Sequence, residues 1–205
     1  MKNSIPIKSA LLLTVLMMGT LLLVASCNDN STADTKETAE NRNNIKVMDD
    51  AQTIQVMNRD NDAKFLMDAA EMQLEEISLG QLAQEKGRTS HVKDLGKAME
   101  KDHTKSLASL RMLAEAKSVA IPATITDDTK EAYKKLNQKT GNDFDKAYSA
   151  MIVENHEKAI ELFEKTSQDS KDPEIRTLAS NMLPTLRSHL QHAEICKREC
   201  EKLKS

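Results

Sequence analysis

The sequence predicts an all-α fold, an up-down four-helix bundle with a short crossover helix, and three observations predict it. The 205 residues include only 5 Gly and 4 Pro, too little turn material for a sandwich or barrel. The bulk of the chain is Ala, Glu, Lys and Leu, the composition of helices. Apolar residues also recur at helical spacing in four long segments. The same arithmetic excludes functions. With 29 Lys+Arg against 32 Asp+Glu, the net charge is -3, and no stretch concentrates basic residues as a nucleic-acid binder does. With 3 Phe, 2 Tyr and no Trp, stacking platforms for bases or sugars are not expected.

The first segment is an address. Lys2 and Lys8 precede an apolar run over residues 10–25, followed by Val24-Ala25-Ser26-Cys27. A charged start, a short apolar core and small residues before a cleavage point describe a secretory signal peptide over residues 1–26. The 16-residue apolar run falls short of the roughly 20 needed to span a bilayer. The cysteine directly after Ala-Ser resembles a bacterial lipobox, which makes Cys27 the lipidated first residue of the mature chain and places the protein in the cell envelope. Outer membrane, facing the periplasm or the surface, is the expected location. Acyl chains on Cys27 would anchor it stably, as a single chain does not. Residues 27–58 read as a polar tether, with Asn28 to Asn44 almost devoid of apolar side chains. Removing residues 1–26 takes away two Lys, so the mature chain carries about -5.

Residues 59–205 read as the bundle. Residues 60–86 place Phe65, Ala69, Met72, Leu79 and Ala83 on one helical face, and Gly87 ends the helix. Ser90 can cap a second helix reaching about Lys117, with Val92, Leu95, Met99, Ser106, Leu110 and Leu113 inward, before Ile121-Pro122 breaks it. Thr126 and Asp127 open a short helix that Gly141 closes. A third long helix covers residues 143–168, carrying Phe144, Tyr148, Ile152, Ala159, Ile160 and Phe163. The last opens on Asp172-Pro173-Glu174, a capping Asp with Pro at the first helical position and an acid in the first turn. It runs through Leu178, Met182, Leu186, Leu190 and Ala193, with a kink expected at Pro184. Two hairpins with short turns and a long crossover between them describe a ferritin-like bundle.

Each long helix interrupts its own apolar stripe with a potential ligand: Glu76, His103 (beside Asp102), His156 and His189. Measured from the hairpin turns at a rise of about 1.5 Å per residue, Glu76 and His103 differ in height by roughly 4 Å, and His156 and His189 by roughly 7 Å. All four belong near mid-helix, in one layer. A lone core histidine ordinarily hydrogen-bonds a neighbour, and a buried Glu is expensive unless paired. One such residue per helix at a shared height favours a metal site. Three imidazoles and a carboxylate suit a single Zn, Cu or Fe ion, with Asp102, Glu100 and Glu154 as carboxylates able to orient the ligands.

The run Glu76-Ile77-x-Leu79-Gly80-x-Leu82-Ala83, with Met99-x-x-Asp102-His103, Phe144-Asp145-x-x-Tyr148, His156, and Leu183-Pro184-x-Leu186-x-x-His189-Leu190-x-x-Ala193, resembles the bacterial domain-of-unknown-function family numbered 4142. The likeness spans about residues 60–195. It implies a ferritin-like fold and an exported or outer-membrane-associated protein, with Glu76, Asp102, His103, His156 and His189 at recurring polar positions. It implies no activity. Similarity to true ferritins is looser. Di-iron bundles carry two Glu-x-x-His pairs, whereas here only Glu100-x-x-His103 has that spacing, which argues for a mononuclear or structural site over a ferroxidase.

A second stripe, His189, His192, Cys196 and Cys200, spans about 80° of the last helix. It could hold a soft ion. Cys196 and Cys200 also continue an apolar stripe, and in an exported protein a disulfide, most easily across a dimer, is a third reading. Eleven Met invite a copper reading as well, but three fall in the leader and Met72, Met99 and Met182 fall on core stripes.

No nucleophile with its base, phosphate loop or glycosidase-type carboxylate pair stands out, so catalysis is not the leading expectation. That expectation is a lipid-anchored bundle binding a metal ion through Glu76, His103, His156 and His189, for metal handling or envelope stress. The competing expectation is a non-enzymatic structural or interaction module whose buried polar layer only sets helix register. A ferritin-like redox enzyme comes third.

Overall fold

In a computed structural model, two antiparallel helical hairpins pack side by side, and a short helix bridges them. The described residues are 36–47 and 53–203, all within the compact unit formed by residues 32–205. Cys27 and the leader lie outside them. The elements are α1 (Lys36–Val47), α2 (Thr53–Lys86), α3 (Ser90–Ala116), α4 (Asp127–Asn137), α5 (Gly141–Asp169) and α6 (Pro173–Glu201). Among the described residues no helix is long and apolar enough to cross a membrane.

The hairpins α2/α3 and α5/α6 form because each helix carries an apolar face and each turn carries its own stop and start signals. Thr89, rather than Ser90, caps α3, its Oγ1 accepting from the Val92 N–H at 3.3 Å. Asp172 caps α6 by accepting from the Glu174 and Ile175 amides, with Pro173 behind it. Gly141 opens α5 at φ +57° rather than closing the crossover, a conformation that glycine adopts without strain. Pro184 sits on the exposed side of α6, which continues through it as one helix.

At the α2/α3 crossing the backbones touch through two glycines. A Cβ on Gly80 would lie 2.6 Å from the Gly96 carbonyl oxygen, and one on Gly96 would lie 2.7 Å from that of Gly80. Between hairpins, the Arg88 and Thr89 amides donate to the buried Asp145 carboxylate at 2.8 and 2.9 Å. At the other end, the Ser170 hydroxyl donates to Asp62 at 2.6 Å. These contacts run α2 antiparallel to α5. α3 and α5, which the crossover joins, therefore point the same way from opposite corners of the bundle, as a long crossover requires.

Two stretches depart from the sequence expectation. The segment read as tether contains α1 and the first turns of α2. α1 docks because Lys36 pairs with Asp68 and Glu71 at 2.6 and 2.9 Å. Asn43 also clasps the Ala120 backbone, accepting from its N–H at 2.9 Å and donating to its carbonyl at 3.0 Å. Among the described side chains of this helix, polar ones with partners on other elements make the attachment.

The core is divided. One apolar cluster gathers Phe65, Leu66, Leu110, Phe163, Ile175 and Leu186. The other gathers Leu79, Met99, Phe144, Tyr148, Ile152 and Cys196. On every long helix the residues between the two are polar and buried: Gln73 and Glu76, His103, His156, and His189.

Candidate metal centre

Each long helix contributes to this layer from mid-length, where backbone hydrogen bonds and the flanking apolar clusters hold the side chains. His103 on α3, His156 on α5 and His189 on α6 are 1–3% exposed. Their ring centroids lie 5.1–5.4 Å apart, and one ring nitrogen of each falls within 4.8 Å of the other two.

Each ring has one nitrogen committed to an oxygen acceptor. His103 Nδ1–H donates to Gln73 Oε1 at 2.7 Å, His156 Nδ1–H to the Ile152 carbonyl at 2.9 Å, and His189 Nε2–H to Asp102 Oδ2 at 3.1 Å. In a neutral imidazole the nitrogen that does not donate holds a lone pair. The bare nitrogens are therefore His103 Nε2, His156 Nε2 and His189 Nδ1. His103 Nε2 is buried without a hydrogen-bond partner, and His156 Nε2 faces His189 Nδ1 at 3.4 Å. A tetrahedral ion holding imidazole nitrogens at about 2.0–2.1 Å sets them roughly 3.3–3.4 Å apart.

Protonation follows the same geometry. Burial, then the neighbouring His156 and His189, holds His103 well below the usual histidine range. Burial, then His189, lowers His156 to about 4. Burial also lowers His189, against an opposing pull from Asp102. Metal ligands must be neutral imidazoles, and these three are neutral at physiological pH.

Glu76 is not among the converging atoms. Its Oε1 accepts from the Asn155 amide at 3.1 Å and lies 3.8 Å from Nδ1 of His156, the nitrogen facing away from the cluster. Its Oε2 is buried without a partner. Burial pushes this carboxyl up to about 8, against the Asn155 hydrogen bond, so it carries its proton at neutral pH. Of the carboxylates considered as orienting groups, Asp102 touches a ligand histidine. Glu100 instead accepts from Gln81 and Gln84 of α2, and Glu154 pairs with Lys158 on the surface. Sequence reasoning missed Gln73 and Asn155. The signal for Gln73 was present: it lies one turn before Glu76, and it rather than Met72 occupies the buried face of α2.

Apart from His189, the second stripe does not assemble with the cluster. His192 is exposed, while Cys196 and Cys200 are free thiols 3.9 Å apart, packed in an apolar cluster with Leu95, Met99 and Tyr148. Burial raises both thiols, Cys196 to about 12, so both are protonated in the metal-free chain.

A family model described as "Domain of unknown function (DUF4142)" matches residues 47–195. No curated protein matches the chain. Among solved structures, the crystal structure of a DUF305 fragment from Deinococcus radiodurans is similar at a TM-score of 0.60 and 12% sequence identity. The match covers 67% of this chain and 96% of that one. At that identity the likeness concerns the fold alone.

Proposed function

Because the chain belongs to the DUF4142 family, whose description assigns no activity, we propose a function from the site itself: the domain binds one transition-metal ion through His103, His156 and His189. The observation carrying this reading is the placement of three ring nitrogens. An acceptor engages one nitrogen of each ring, one nitrogen of each ring lies within 4.8 Å of the other two, and the bare nitrogens of His156 and His189 face each other at 3.4 Å. Buried acceptors facing each other repel and leave hydrogen-bonding capacity unmet, and a cation between them removes both penalties. A neutral three-nitrogen set with no thiolate suits Zn, Cu or Fe in a mononuclear site. The role is metal binding or handling in the envelope rather than catalysis. The leader supports that setting: Lys2 and Lys8, the apolar run and Val24-Ala25-Ser26-Cys27 are consistent with a domain anchored through lipid on Cys27, in the outer membrane.

Elemental analysis of the purified chain after incubation with Zn, Cu or Fe and gel filtration tests the metal reading. One equivalent of one metal, lost in His103→Ala and in His156→Ala, is the expected result. An empty wild-type protein with all three metals would sink it and favour a layer that only sets register, in which case His156→Leu leaves the fold intact or firmer. Anchoring is tested separately: Cys27→Ser should move the protein from the membrane fraction to the soluble one.

A further inference from the structure

The three histidines come from three corners of the bundle, and the fourth corner, α2, contributes no atom to the converging set. α2 sits diagonally across from α6, between α3 and α5. α2 is thus the one corner of the bundle with no ligand of its own for a four-coordinate ion held by α3, α5 and α6. There α2 presents Gln73, whose carbonyl oxygen is engaged by His103, and Glu76, which is turned to Asn155 and the outer side of His156. Neither belongs to the converging set.

A crevice of about 270 Å³ opens between α2 and α5, and two of the three histidines, His103 and His156, are among the residues that line it. Gln73, Glu76 and Asn155 line it as well, together with Thr129 and Ala132 of α4. α4 is pinned along this groove by Thr126, which donates to Glu71 at 2.7 Å, and by Asn137, which accepts from Lys86 at 3.0 Å. The polar groove on the opposite side, between α3 and α6, reaches Asp102 but none of the three histidines.

Resting on the metal-site reading above, we propose that the fourth coordination position is open to a small exogenous ligand that enters between α2 and α5, past α4. The fitting class is a monodentate donor of one to three heavy atoms that also hydrogen-bonds to amide and carboxyl walls: water, hydroxide or a small anion. Three protein ligands plus one exchangeable position distinguish a site that can exchange or pass on its ion from a closed structural one.

Co(II) substitution with azide as the probe tests this, since the d–d bands of bound cobalt report its coordination directly. In the full chain, azide should shift those bands saturably. Ala132→Trp, which puts a bulky ring into the crevice lining, should keep the cobalt spectrum and weaken azide binding about tenfold or more, a difference of about 1.4 kcal/mol. Ala132→Leu should do so in smaller measure and serves if the Trp variant does not fold. Thr185→Trp, in the opposite groove, should leave both readouts unchanged. Cobalt bands that ignore azide would overturn the open position. Equal azide affinity in both Ala132 variants and wild type would overturn the route. A wild-type protein with no cobalt bands would instead overturn the metal-site reading itself.

Discussion

Gln73 fixes the orientation of His103 without approaching the point where the ligands meet. Accepting from Nδ1–H, it leaves Nε2 bare and holds the ring plane. Gln73→Leu should therefore weaken metal binding by about 10- to 100-fold with little change in helix content, measured by competition against a chelator and by circular dichroism. Glu76 governs a different quantity. Its folded carboxyl keeps its proton up to about 8 against 4.5 for the free group, so the folded state binds more protons than the unfolded one across that interval. Stability limited by this group is full below pH 4.5 and falls as pH rises toward 8. The histidines act in the opposite sense. His156 drops from 6.5 to about 4, so its contribution is present above 6.5 and is lost as pH falls toward 4. Glu76→Gln should accordingly stabilise the metal-free protein by a few kcal/mol at pH 8 and not at pH 4. Urea unfolding at the two pH values measures the difference, and an equal gain at both would reject the account.

At the scale of elements, α2 and α3 approach closely because neither has a Cβ at the crossing. Gly96→Ala would drive a methyl against the Gly80 carbonyl and the Ala83 Cβ, at 2.7 and 2.8 Å. Backbone cannot yield as a flexible side chain does, so a loss of about 1–3 kcal/mol is expected, read as a lower midpoint in denaturant with an unchanged slope. The sequence held these two glycines in plain view, but a glycine inside a helical pattern indicates only lower propensity until its neighbour across the interface is known. The four long helices were legible because each buries a stripe of 3.6-residue period, and α6 announced its start with Asp172-Pro173-Glu174. α1 was not legible. Ala39 is the one buried apolar residue among those of its side chains that are described, and its attachments run from Lys36 to α2 and from Asn43 to Ala120, 77 positions away. Periodicity cannot encode such contacts.

Across the whole molecule, the histidine layer is where the two hairpins meet. His103 belongs to the first hairpin, His156 and His189 to the second, and each apolar cluster ends at this layer. That the layer exists was legible, since polar residues broke four apolar stripes at similar heights. Which atoms converge was not: ring direction depends on acceptors from other helices, Gln73 and Asp102, and on whether Glu76 turns inward or toward Asn155. An ion at this point would tie α3 to α5 and α6 and add RT ln(1 + [M]/Kd) to stability, about 2.7 kcal/mol at a hundredfold excess over Kd. Because the tie crosses the hairpin boundary, its effect should be local as well as global. Hydrogen exchange in the metal-loaded chain should slow most around residues 99–107, 152–160 and 186–193. The α2/α3 turn at Gly87 and the docked α1, which have their own attachments, should change least. In His189→Ala the same metal addition should leave all of these rates unchanged. Uniform protection across every helix in the wild type would mean that the ion stabilises the fold without acting as the link between its halves.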